Sequence, residues 1–379
     1  MRLTERWKEV DLQPHKFIIS GGGTGGHIFP AIAIANALKQ RVPDSEFLFV
    51  GAEGRMEMEK VPAAGYRIVG LWISGLQRKL TLSNLSFPFK VWSSIRRAKK
   101  ILREFKPDAV IGTGGYASGP MLRVASRAGV PTVVQEQNSY PGITNRVLSA
   151  RVDRICVAYR GMEKYFPKEK IVFTGNPVRQ DILNLQGKHP RAMEFFGLSP
   201  EKKTLLVIGG SLGARTINQS MATGIAEIVG AGYQVIWQTG KTFLPEAKAA
   251  TANVDGVFVS DFITKMDLAY AAADLVVSRA GASSVSELCL VGKPSILVPS
   301  PNVAEDHQTK NALALVNAGA AILVRDVEAG FNLTKKILEL FGDETARTEL
   351  QMKISQLATP NSADLIAGEI LKLVQAQNK

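Results

Sequence analysis

The sequence predicts an α/β protein of two doubly wound, Rossmann-like domains. Three observations carry this. Short apolar runs alternate with helical stretches along most of the chain. A glycine-rich turn follows the first such run, in Ser20–Pro30 (SGGGTGGHIFP). A second glycine turn, GGSLGAR from Gly209 to Arg215, follows an equivalent run in the second half. Short apolar strands separated by helices imply parallel sheets covered on both faces. Loops at the carboxyl ends of such strands form the ligand crevice. Two such domains facing each other would place their loops across one cleft, a usual place for a ligand.

Composition bounds the function. A chain of 379 residues exceeds one ordinary domain, and 45% apolar content can fill two cores. No run reaches the roughly 18 apolar residues of a spanning helix. The N-terminus, MRLTERWKEVDLQPHK, is too charged for a signal peptide. Cys156 and Cys289 show neither metal spacing nor a disulfide framework, which fits a reducing cytoplasm. The net charge of +12 points to an anionic partner: nucleic acid, anionic lipid or a phosphorylated substrate.

The elements follow in order. Phe17-Ile-Ile19 is a strand, and the run Ile28 to Leu38 after the turn is a helix. Glycine lets backbone amides turn inward and lets a bulky anion approach. The helix then points its positive end at that anion. His27 stands at the seam, either touching the bound group or merely capping a tight turn. Gly21, Gly23 and Gly26 also match the loose dinucleotide pattern, a weak signal alone. Phe47–Val50 reads as a strand and Arg55–Ala64 as a helix. Ala109–Ile111 and Thr132–Val134 are buried strands flanking the helical run Gly119–Ala128. Their following loops, Gly112–Tyr116 and Gln135–Ser139, should lie beside His27. The pattern pauses near Gly175–Arg179 and restarts at Thr204–Ile208. Val235–Trp237, Val257–Val259, Asp274–Ser278 and Ser295–Val298 continue a second sheet. A last helical stretch, Ala363–Gln375, has no strand after it.

The second half holds a more specific constellation, RAGASSVSELCLVGKP from Arg279 to Pro294. Gly281 permits a turn, Ser283 and Ser284 can cap, and a diphosphate could sit at the helix N-terminus. Glu287, one turn in, could accept hydrogen bonds from a ribose diol. Ser284-x-x-Glu287 is also a capping box, and the local pattern alone favours that reading. Glu305-Asp-His-Gln308 and Asn311 open another helix. There is no D-x-D pair of the kind that holds a metal-bound nucleotide sugar. Amides, helix ends, hydroxyls and cations would have to stabilise a departing diphosphate.

GGGTGGHIFP, ISGL at Ile73–Leu76, GGYASGP, EQN at Glu136–Asn138, GNPVR, GGSLGA, RAGASSVSE and DHQTKNA occur in this order. Together they resemble the MurG family of bacterial glycosyltransferases over about residues 16–375. The resemblance implies a GT-B architecture. It implies inverting transfer of N-acetylglucosamine from UDP-GlcNAc to the muramyl 4-hydroxyl of lipid I, giving lipid II for peptidoglycan. Domains of 14–178, facing acceptor and membrane, and 179–361, binding the UDP-sugar, are then expected. A C-terminal helix, about 362–379, would pack back on the first. No cofactor or metal is implied, since UDP-GlcNAc is a substrate.

By motif, the resemblance brings Thr24, Gly25 and Gly26 to the sugar and diphosphates, and Asn138 to the transferred sugar. Arg179 and Ser211 fall near the donor phosphates. Ile263 offers backbone bonds to uracil. Ala282, Ser283, Ser284, Val285, Ser286 and Glu287 hold ribose and diphosphate, and Gln308 the hexosamine. His27 becomes a base at the acceptor hydroxyl or a phosphate contact. Glu136 is a second candidate base or an orienter. Other proteins of cell-wall synthesis would be further partners.

Competing classes differ in what they require. A nicotinamide oxidoreductase would use Gly21–Gly26 with Glu53 as the ribose carboxylate, and has no need of the second glycine turn. A charge-driven binder of nucleic acid or membrane would bind without turnover. A related GT-B enzyme with another glycolipid acceptor is the nearest alternative. The charge itself is local. Arg78 to Lys106 carries nine basic residues and one acid, Glu104. That argues against a nucleic-acid coat. Val91, Ile95, Ala98, Leu102 and Phe105 recur at helical spacing and should face a core. By themselves the basic residues, with Leu76, Leu80, Leu82, Leu85, Phe87, Phe89 and Trp92, fit a solvated charged helix beside a partly buried loop. Because the acceptor that the resemblance implies is anchored in a membrane, they are expected to form a peripheral contact with the anionic cytoplasmic face of the bacterial inner membrane.

Overall fold

The computed structural model describes residues 14–75 and 86–377. Its contacts divide the chain into two units, Met1–Val178 with Asn361–Lys379, and Arg179–Pro360.

The first unit runs β1 (Lys16–Gly21), α1 (Gly25–Arg41), β2 (Glu46–Ala52), α2 (Glu57–Ala63), β3 (Arg67–Leu71), α3 (Phe87–Phe105), β4 (Ala109–Gly114), α4 (Ser118–Arg127), β5 (Thr132–Glu136), α5 (Ile143–Leu148), β6 (Arg154–Val157) and β7 (Ile171–Phe173). Among the described residues these strands form one sheet, ordered β3-β2-β1-β4-β5-β6-β7, with every pair parallel. The central strands are buried along nearly their whole length because helices cover both faces. On one face Ala98, Leu102, Met121, Leu122 and Phe166 fill the core. On the other, Ile28, Ile34 and Leu38 of α1 meet Ile366, Ile370 and Val374 of the C-terminal helix, Ser362–Gln377. Arg41 anchors that helix by two 2.6 Å bonds to Asp364.

The second unit runs α6 (His189–Phe196), β8 (Thr204–Ile208), α7 (Arg215–Gly230), β9 (Gln234–Gln238), α8 (Leu244–Ala250), β10 (Val257–Ser260), α9 (Met266–Ala272), β11 (Leu275–Ser278), α10 (Ala282–Val291), β12 (Ser295–Leu297), α11 (His307–Val316), β13 (Ile322–Leu323), α12 (Ala329–Gly342) and α13 (Glu344–Ser355). Its sheet is ordered β10-β9-β8-β11-β12-β13 and is again wholly parallel. Both sheets thus reverse direction beside their first strand, the switch point where doubly wound folds bind ligands. Strands β3, β6, β7 and β13 went unrecognised in the sequence. They are short, and charged residues or turns interrupt their apolar runs.

Helix α3 buries Ala98 and Leu102 and packs Val91, Ile95 and Phe105 against the core, as its spacing predicts. Its outer side leaves Phe89 70% and Trp92 59% exposed. Of the segment assigned to a membrane contact, Leu76, Arg78, Lys79, Leu80, Leu82 and Leu85 lie outside the described residues.

Candidate functional site

In the first unit, the turns after β1 and β4 touch backbone to backbone. Gly115 has φ +83°, and a Cβ there would lie 2.3 Å from the Gly22 carbonyl oxygen. A Cβ on Gly114 would come within 2.8 Å of the His27 ring. Only glycine permits this approach, and it brings His27 against the end of β4. His27 Nδ1 lies 2.9 Å from the Thr113 carbonyl oxygen and 3.2 Å from Gln137 Oε1. A carbonyl only accepts, so Nδ1 carries the proton. In the neutral ring the basic lone pair is then on Nε2. Gln137 Nε2 also donates to Thr113 O at 2.6 Å, and Asn176 Nδ2 to Gln137 O at 2.9 Å. The imidazole is therefore fixed in orientation and tautomer.

Thr24 precedes α1 in extended conformation, and its side chain makes no cap. Gly25 and Gly26 open the helix, whose first turn contains no acid. Those early amides suit an anion. Beneath the turn lies a group the sequence reading missed. Glu57 is fully buried, and its carboxylate accepts Gly23 N and Ala52 N, both at 2.9 Å. A Cβ on Gly22 would strike it at 2.1 Å. Glu57 is the floor of the glycine turn.

Glu136 ends β5 and is 1% exposed. Its oxygens accept Asn138 N at 3.0 Å, Asn138 Nδ2 at 3.2 Å, Gly142 N at 3.2 Å and Asn145 Nδ2 at 2.8 Å. Burial raises its carboxyl above the ordinary value against the pull of these bonds. Both oxygens are thus engaged with the segment from Asn138 to Asn145.

The second unit gathers the other predicted residues. Helix α10 starts at Ala282 with Gly281 as N-cap and no side-chain cap. Ser284 therefore sits inside the first turn, and the capping-box reading of Ser284 and Glu287 is corrected. Ala282, Ser283, Ser284 and Ser286 are partly accessible, while Val285 is buried. Glu287 is 8% exposed and accepts Arg179 Nε and the Tyr270 hydroxyl, each at 3.0 Å. Burial raises its carboxyl, opposed by Arg179 and by the Tyr270 bond. Tyr270, fully buried on α9, carried no recognisable motif.

In the second unit it is the turns after β8 and β9 that touch backbone to backbone. A Cβ on Gly213, where φ is +77°, would lie 2.0 Å from the Thr239 carbonyl oxygen. Ser211 is exposed on this turn. Gln238 ties it down, donating to Gly210 O at 3.0 Å and accepting Ile263 N at 2.9 Å. A uracil bond from Ile263 N–H would have to displace Gln238. Gln308 Oε1 accepts Ser300 N at 2.9 Å. Arg279 donates to Val298 O, Pro299 O and Asp326, joining the ends of β11 and β12.

Residues 17–157 match the glycosyltransferase family 28 N-terminal domain, and residues 204–366 match its C-terminal domain. A relative from Parabacteroides distasonis is 56% identical over 365 residues, covering 96% of this chain and 99% of its own. It is named UDP-N-acetylglucosamine--N-acetylmuramyl-(pentapeptide) pyrophosphoryl-undecaprenol N-acetylglucosamine transferase. A relative of that name from Cytophaga hutchinsonii is 56% identical over 367 residues, covering 97% and 99%. The chain belongs to this transferase family. The crystal structure of MurG from Acinetobacter baumannii is 28% identical and superposes with a TM-score of 0.77 over 95% of this chain and 100% of that one. The calicheamicin glycosyltransferase CalG4, 15% identical with a TM-score of 0.70 over 97% and 100%, shares the fold. The two Rossmann-like domains are thus those of a GT-B glycosyltransferase.

Proposed function

We propose that this protein transfers N-acetylglucosamine from UDP-GlcNAc to the muramyl 4-hydroxyl of undecaprenyl-diphosphate-linked MurNAc-pentapeptide, making lipid II for peptidoglycan. Family membership at 56% identity over nearly the whole chain carries the activity. UDP-GlcNAc is a substrate, and the alternative of another glycolipid acceptor has no comparable support. Incubating the protein with labelled UDP-GlcNAc and either lipid I or a diacylglycerol tests this. Label is expected in the lipid I product alone; label in the diacylglycerol overturns the reading.

For the chemistry, the observation that supports a role for His27 is its Nδ1 bond to Thr113 O. Nε2 is then the atom that takes the proton from the acceptor hydroxyl. The hydroxyl oxygen bonds to the anomeric carbon, the carbon–oxygen bond to UDP breaks, and the configuration inverts. Glu136 holds the Asn138 loop in shape, and Asn138 meets the transferred sugar. Thr24, Gly25 and Gly26 receive the acceptor diphosphate at the start of α1. In the second unit, Glu287 receives the ribose diol and the first turn of α10 the donor diphosphate. Arg179 and Ser211 serve its phosphates, Ile263 the uracil and Gln308 the hexosamine.

The protein acts peripherally at the cytoplasmic face of the bacterial inner membrane. Exposed Phe89 and Trp92 on α3, with Arg96 stacked 4.5 Å over Trp92 and Lys90 over Trp72, support this face. Apolar tips flanked by cations suit an anionic bilayer surface. Contacts with other cell-wall synthesis proteins would occur at the same membrane.

A further inference from the structure

We propose that Tyr270 is a positioning residue for the donor, holding one oxygen of Glu287 so that the other is presented to the ribose. This rests on Glu287 as the ribose ligand. The carboxylate has two oxygens and two partners of opposite character. Oε2 accepts the hydroxyl of Tyr270, which is fully buried on α9. A buried phenol needs a partner, and it has few ways to move in a close-packed core. Oε1 accepts Arg179 Nε, whose side chain is 40% exposed. The long, partly solvated guanidinium is the more mobile of the two partners, and incoming hydroxyl donors can replace its bond. The asymmetry assigns Oε2 to the scaffold and Oε1 to the ligand.

The exchange loses no hydrogen bond. A ribose diol offers two O–H donors where Arg179 offers its N–H. The released guanidinium can then turn to a phosphate, its natural bidentate partner. Tyr270 does not take part in that exchange. Burial keeps its phenol protonated far above neutral pH, so it remains a donor throughout the working range. The groups acting on Glu287 are Arg179 and Tyr270, which favour its charged form, and Asp181, which opposes it. Removing the Tyr270 hydroxyl removes one of the two favourable contributions. The carboxyl should then protonate at higher pH.

Tyr270→Phe, Glu287→Ala and the double variant of the full chain test this, with UDP and 2′,3′-dideoxy-UDP as probes in calorimetric titration and UDP-GlcNAc and lipid I as substrates. Tyr270→Phe should weaken UDP about ten-fold, the scale of one hydrogen bond to a charged group. The donor KM should rise by a similar factor, with lipid I KM and kcat little changed. The acidic limb of donor kcat/KM should move to higher pH. Dideoxy-UDP should bind wild type and Tyr270→Phe alike, and Tyr270→Phe should add nothing in the Glu287→Ala background. The two probes are compared within one protein, so a general loss of folding cancels. Equal weakening of UDP and dideoxy-UDP, or unchanged UDP affinity in Tyr270→Phe while Glu287→Ala is impaired, overturns the positioning role. Unchanged UDP affinity in Glu287→Ala overturns instead the ribose assignment beneath it.

Discussion

Replacing Glu57 tests whether the floor of the first glycine turn shapes acceptor binding. The carboxylate accepts two backbone amides, Gly23 N and Ala52 N, in a fully buried position. Glu57→Ala leaves the buried Ala52 amide without an acceptor, at about 1–3 kcal/mol, and gives the exposed Gly23 amide to water at smaller cost. For a unit of this size each kcal/mol lowers the melting temperature by about 2–4 °C. Glu57→Gln keeps one acceptor oxygen but turns an NH2 toward the other amide, so it should lose roughly half as much. Scanning calorimetry should rank wild type above Gln above Ala. Because Gly23 belongs to the turn assigned to the acceptor diphosphate, lipid I kcat/KM should fall at least about ten-fold in Glu57→Gln, with UDP affinity retained. Melting temperatures matching wild type would refute the claim that these bonds matter. A lowered melting temperature with unchanged lipid I kinetics would show that Glu57 supports the fold but not the site.

His27→Ala should lower kcat by roughly 10²–10⁴ and leave UDP affinity nearly unchanged in titration; near-normal kcat would move the base role to Glu136 or solvent. Donor affinity should fall as pH drops, because protonated Glu287 no longer accepts two donors. Burial raises that carboxyl, so the loss should set in at higher pH than an ordinary carboxylate would give, and a UDP titration series with no loss of affinity on acidification would contradict it. Phe89→Ser with Trp92→Ser, or glutamine at Arg96, Arg97, Lys99 and Lys100, should release the protein from anionic vesicles in sedimentation. The four charges supply about 1 kcal/mol each, attenuated by salt, and undiminished sedimentation of both variants would place the membrane face elsewhere.

Much of the fold is a local property and therefore legible in sequence. Thr204–Ile208 was readable as a strand because five consecutive apolar or β-branched residues have one way to be buried on both faces of a sheet. The glycine turns mark strand-to-helix seams, and the order of eight short motifs identifies the family. Charge and apolar spacing likewise resolved the inner and outer sides of α3.

What the sequence left open depends on partners far apart along the chain. The His27 tautomer follows from Thr113 and Gln137, 86 and 110 residues away. Glu57 meets Gly23 across 34 residues, and Arg179 meets Glu287 across 108. Glu287 shows the limit most clearly. Its spacing from Ser284 fits a capping box, yet Gly281 ends the preceding turn and α10 begins at Ala282, ahead of that box. The carboxylate is then carried past the helix terminus and into contact with Tyr270. Local propensity can propose both roles for one residue. The helix start at Ala282 removes the cap reading, and the bond from the buried Tyr270 hydroxyl is set by tertiary packing, because burial obliges a phenol to find an acceptor.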